Sequence, residues 1–98
     1  MTVKYGLLVQ LEAQAGKADE LAAFLEQGQA LAEAEPDTVT WYAFRIDEQR
    51  FGIFDTFESE DGRQAHLSGP IAAALGEVAG TLLAKAPDIQ PIGLIAAK

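Results

Sequence analysis

The chain has 98 residues, room for one small domain that buries about 60 to 70% of the surface its unfolded form exposes. Hydrophobic residues make up 49% and charged residues 22%, without a biased tract, so the composition is that of a packed globular protein and excludes a disordered one. Fifteen acidic against seven basic residues set the formal net charge at -8, which repels nucleic-acid phosphates and anionic membrane surfaces and leaves neither as an expected partner.

Taken in chain order, the run from Val3 to Glu12 is rich in Val, Leu and Tyr, ends in a Gln-Ala-Gly-Lys turn, and predicts a first strand. Leu21, Phe24, Leu25, Gly28, Leu31 and Ala32 then fall on one helical face, with Asp19 and Glu20 favourably placed in the first turn. Pro36-Asp37 closes that helix, because the residue before a proline disfavours the α region. Thr38 to Ile46 and Phe51 to Glu58 are dense in β-branched and aromatic residues, and the polar link Asp47 to Arg50 has hairpin length. They should pair antiparallel. Ser59 to Asp61 supplies an N-cap and first-turn carboxylates for a second helix running to about Ala84. Gly69-Pro70 must interrupt it, giving a short helix that carries His66, a kink, and a restarted helix with Ile71, Leu75, Val78, Leu82 and Leu83 inside. Pro87 ends it, and Ile89 to Ala97 reads as a last strand.

The order βαββαβ is that of an α+β, ferredoxin-like fold, an antiparallel sheet with its helices on one face, formed by a single domain over residues 1–98. Both alternating sets of strand residues are apolar: Tyr5, Leu7, Val9 and Leu11 against Leu8, Trp41 against Tyr42 and Phe44, and Phe51, Ile53 and Phe57 against Phe54. An apolar sheet face without helices marks an interaction surface, and a symmetric homodimer is the simplest cover for it. The alternative is that these side chains line a barrel rim or a ligand cavity.

There is no cysteine, so disulfides, thiolate metal sites and a Cys nucleophile are excluded, and one histidine cannot by itself build a zinc or facial-triad iron site. No glycine-rich loop follows a strand, so no metal, nucleotide or flavin cofactor is expected. Gly6, Gly52 and Gly93 read as strand positions needing close packing or a bulge. The N-terminus lacks the apolar core and cleavage site of a signal peptide, and no segment approaches the roughly 18 apolar residues of a membrane span; a cytoplasmic location is expected.

Gly16-Lys17-Ala18-Asp19-Glu20-Leu21, the Glu35-Pro36-Asp37 turn before an aromatic strand, and Phe54-Asp55-Thr56-Phe57 followed by Ser59-Glu60-Asp61 and Ala65-His66-Leu67 resemble, in order and spacing, the antibiotic biosynthesis monooxygenase superfamily. The resemblance covers nearly the whole chain. It implies a dimeric α+β barrel in which two sheets pack face to face, with a pocket in each subunit between sheet and helices. It also implies oxidation of small aromatic compounds, quinols or anthrone-like polyketides, by O₂, often without metal or flavin. Ile71 stands where many relatives carry a second histidine after the proline, and the chain has no asparagine, which the haem-degrading branch uses beside Trp and His. Haem handling with His66 as axial ligand is thereby the lesser expectation.

His66 is the candidate general base toward a phenolic or enolic proton; the competing reading is a partly buried histidine hydrogen-bonded near the kink. Trp41, Tyr42 and Arg45 are the candidate substrate-binding residues. Trp41 and Tyr42 point to opposite faces of one strand, so at most one lines the helix-side pocket directly, and strand aromatics commonly serve as core. Arg45 either stabilises a substrate oxyanion or forms a structural bridge to Asp55 across the hairpin or the dimer, and the bridge is the favoured expectation. The reading is a cofactor-independent monooxygenase of a small aromatic, or alternatively a dimeric binding or stress-response module that holds a small hydrophobic molecule without turnover.

Overall fold

Strand β1 (Tyr5–Glu12) lies inside the sheet, paired antiparallel on one side with β3 (Arg50–Phe57) and on the other with β4 (Asp88–Gly93). Strand β2 (Thr38–Arg45) joins the far side of β3, so the order is β2-β3-β1-β4 and β2 is an edge. The computed structural model describes residues 3–98. Helix α1 (Ala18–Glu33) follows β1; α2 (Glu60–Leu67) and α3 (Pro70–Leu82) follow β3. This is the expected ferredoxin-like α+β arrangement, with the second helix of the pattern divided in two.

The division occurs at Gly69-Pro70. Gly69 is the extended cap of α3 and Pro70 its first residue, a position where the missing N–H costs nothing, so the chain breaks and restarts instead of bending. Ser59 opens α2 as expected, its Oγ accepting from the Gly62 N–H at 3.0 Å. Ser59→Ala should therefore cost about 1 kcal/mol, a fall in Tm of about 4–8 °C for a domain of this size, read by thermal denaturation.

One sheet face meets the helices. Val9, Leu11, Phe51 and Ile53 from the strands pack against Leu21 and Leu25 of α1 and Leu75 and Leu82 of α3. Leu31, expected on the buried stripe of α1, is instead 38% exposed, because it stands about 100° around the helix from the buried Ala32, at the margin of the Leu21, Leu25, Gly28 and Ala32 stripe. The last strand stops at Gly93, short of the expected Ala97; Leu94 keeps one bond to Lys4 O, and Ile95 stands in solvent. Gly16 has φ of 80°, a backbone setting that only glycine adopts without strain, and so turns the chain from β1 into α1.

The opposite face carries no helix. Its central row runs Tyr42, Phe54, Leu8 and Gln90 across the strands, flanked by a row of Phe44 and Gly52 and by one of Thr40, Thr56, Gly6 and Ile92. At two places a large side chain lies flat over a glycine. A Cβ on Gly52 would meet the Phe44 ring at 2.4 Å, and one on Gly6 would meet Ile92 Cγ1 at 3.0 Å. Gly93, expected to need close packing, has open space instead.

Candidate functional site

Because β2 is an edge, α1 covers only part of its inner side and leaves a groove of about 520 Å³. Ala22, Leu25 and Glu26 form the helical wall; Trp41, Arg45 and Phe51 form the sheet wall. The indole of Trp41 can reach the helix because Gly28 has no side chain there: a Cβ on Gly28 would stand 3.3 Å from Trp41 Cη2. Beyond Trp41 a second, more polar hollow of about 300 Å³ is lined by Glu35, Thr38 and Thr40. Trp41 borders both, so it is the partition between them. Tyr42 borders the groove along β2, but it is the cross-strand neighbour of Phe54 on the outer face and is 58% exposed.

His66 is not among the residues that line either hollow. Its ring is buried, with Nδ1 at 2.6 Å from Glu35 Oε1 and Nε2 at 2.8 Å from Asp55 Oδ2. The Asp55 contact has the separation of an ion pair, although its angle falls outside good hydrogen-bond alignment. Burial acts to lower the imidazole pKa, and the contacts with Asp55 and Glu35 more than offset it, raising the value from 6.5 to about 8. The ring is therefore predominantly an imidazolium at neutral pH. The Phe57 ring, 5.3 Å away, completes its surroundings, and the Thr38 hydroxyl donates to Glu35 at 2.8 Å.

The cluster connects three parts of the chain: His66 on α2, Asp55 on β3, and Glu35 in the link between α1 and β2. It reaches the groove only through Asp55, whose cross-strand neighbour is Trp41. Trp41 Nε1, Asp55 Oδ1 and Glu35 Oε2 are buried without a protein hydrogen-bond partner. Such groups are costly to bury unpaired, so the wall behind Trp41 keeps unused donor and acceptor capacity.

The expected Arg45 to Asp55 bridge does not form across the hairpin. Arg45 stands opposite Phe51, four residues along β3 from Asp55, or roughly 13 Å at the strand rise. Its guanidinium instead donates from Nε to Asp47 O at 3.0 Å and from Nη2 to Glu48 O at 2.9 Å, and lies 4.9 Å from the Phe51 ring centre. Glu35 was not among the candidate residues. A lone histidine on a short helix in a carboxylate-rich chain needs acidic partners once buried, and an Asp on an apolar strand face needs a cation; together these signals could have paired His66 with Asp55. Among the described residues there is no group of three or more His, Cys, Asp or Glu placed to hold a metal ion.

No protein-family model and no curated protein matches the chain. Solved structures do. The fold is shared with distant proteins: a "putative antibiotic biosynthesis monooxygenase" from Nitrosomonas europaea superposes with a TM-score of 0.84 at 13% identity, over 94% of this chain and 99% of that one. A second so named, from Caulobacter crescentus, gives 0.82 at 21% identity, over 97% and 92%. Within that fold, the chain belongs to the family of the NE2512 protein of unknown function from Nitrosomonas europaea, with 47% identity, a TM-score of 0.97, and coverage of 99% of this chain and 94% of that one.

Proposed function

We propose that this protein oxygenates a small, electron-rich aromatic compound of quinol or anthrone type, bound in the groove between α1 and β2. The observation that carries the reading is the groove itself. A flat ring can lie in it against Trp41, over a floor formed by the buried Leu25 and Phe51, and stacking on an indole face suits such a molecule. The superfamily fold agrees with it.

In this chemistry the substrate supplies the electrons. O₂ attacks the electron-rich carbon; one oxygen atom stays as the new carbonyl or hydroxyl, and the other leaves as water with two hydrogens from the substrate. The protein contributes a shaped, dry site and control of the substrate's proton. His66 takes part as a positioning residue: it holds Asp55 and Glu35, which back the Trp41 wall, and a base at the groove would be Glu26 or solvent.

The working unit in this reading is a homodimer joined through the outer sheet face, where Leu8, Tyr42, Phe44 and Phe54 have no helix above them. A second reading, a binding module without turnover, is favoured by the sequestration of both His66 ring nitrogens. Oxygen uptake with a panel of hydroquinones and anthrones, no cofactor added, separates the two. The oxygenase is expected to consume one O₂ per product and to lose most of its rate in Trp41→Ala. Saturable binding of the same compounds without uptake would establish the module and end the oxygenase.

A further inference from the structure

Arg45 is a cation prepared for a partner that the chain does not provide. The carboxylate nearest in sequence, Asp47, is turned away from it. Asp47 Oδ1 accepts from the N–H groups of Gln49 and Arg50, and Oδ2 pairs with Arg50 Nε at 2.8 Å. The hairpin thus spends its carboxylate on Arg50 and offers Arg45 only the carbonyls of Asp47 and Glu48. These two bonds and the Phe51 ring fix the guanidinium on the groove wall, while its Nη1 edge has no protein acceptor among the described residues. A fixed guanidinium with a free edge matches a carboxylate or an ionised hydroxyl, and little entropy is lost on pairing.

We propose that the groove selects aromatic monoanions, an ionised hydroxyquinone or aromatic carboxylate, with the anionic edge on Arg45 and the ring in the groove against Trp41. Glu26 on the helical wall disfavours a second negative group, which limits the ligand to one charge. The inference rests on the proposed function only in taking this groove as the ligand site.

Isothermal titration calorimetry with 2-hydroxy-1,4-naphthoquinone, ionised at neutral pH, and its neutral methyl ether tests it. The ionised compound should bind about 10- to 100-fold more tightly, the range of one charge-assisted hydrogen-bonded pair. Arg45→Gln should abolish that preference, weakening the ionised compound far more than the ether, and Arg45→Lys should restore part of it. Equal affinities in the unaltered protein, no binding of either compound, or equal weakening of both by Arg45→Gln would overturn the proposal. The comparison in the unaltered protein decides even if Arg45→Gln does not fold. Binding is read without turnover, so a retained preference with no oxygen uptake removes the oxygenase reading and leaves this one standing.

Discussion

Replacing His66 by alanine should destabilise the protein by about 3–5 kcal/mol, the usual cost of removing one partner from a buried ion cluster. Asp55 is fully buried and Glu35 mostly so, and among the described residues neither has another cation within reach of an ion pair. Against a total stability of about 5–15 kcal/mol for domains of this kind, that loss leaves a chain on the edge of unfolding. Urea denaturation followed by far-ultraviolet circular dichroism at pH 6 measures it. The triple change His66→Leu, Asp55→Leu and Glu35→Leu should recover much of the loss, because it removes the orphaned charges together. A His66→Ala protein within about 1 kcal/mol of the parent would show that the cluster holds little. Oxygen uptake lost in His66→Ala therefore speaks to chemistry only where the fold is shown to be intact.

The same cluster gives stability a pH dependence of known sign. The folded-state pKa of about 8 lies above the ordinary imidazole value of 6.5, so the folded protein holds the proton more tightly than the unfolded chain does. The shift corresponds to ~2 kcal/mol. That stabilisation is fully present below about pH 6.5, declines between 6.5 and 8, and is gone above 8. The urea midpoint should accordingly fall from pH 6 to pH 9, and His66→Gln should flatten that interval. The groups that face the ring from the surrounding elements are Asp55 and Phe57 of β3 and Glu35 of the α1–β2 link, so few other titrations intrude.

The architecture was legible because each element announces itself locally. Leu21, Leu25, Gly28 and Ala32 mark one face of α1, and Pro70 can only begin a helix, so the break in the second helical stretch follows from one residue. The site was legible in part. Trp41 and Arg45 do line the groove, and Tyr42 does point to the other face, as alternation along β2 requires. What could not be read was register and depth. Arg45 and Asp55 share a sheet face, which made a bridge plausible, but only the β2–β3 pairing reveals that they stand four residues apart. The role of Glu35 depends on α1 ending where its turn swings beneath α2, a long-range contact with no local periodicity behind it. Gly28 reads as one more small residue on the helical stripe until the indole is seen resting on it.

Phe54→Lys should convert the proposed homodimer to monomers. Phe54 occupies the centre of the outer face, between Tyr42 and Leu8, where the flattened Phe44 and Ile92 side chains leave a surface fit for another sheet to lie against. A stable interface buries about 1,200–2,000 Å² in total, and a face of four strands can supply its half. An ammonium group at the middle of that contact has no carboxylate in its own row of Tyr42, Leu8 and Gln90, and Asp88 stands one row away and two strands over, on β4. Dimer affinity should fall by about 100-fold or more, the equivalent of roughly 3 kcal/mol. Sedimentation velocity at micromolar concentration reads the change, with Gln27→Lys on the exposed side of α1 as the control that adds the same charge without touching the sheet. Unaltered protein that sediments as a single subunit would remove the homodimer. A dimer that persists in Phe54→Lys would move the interface elsewhere, and the apolar outer face would then need a different occupant.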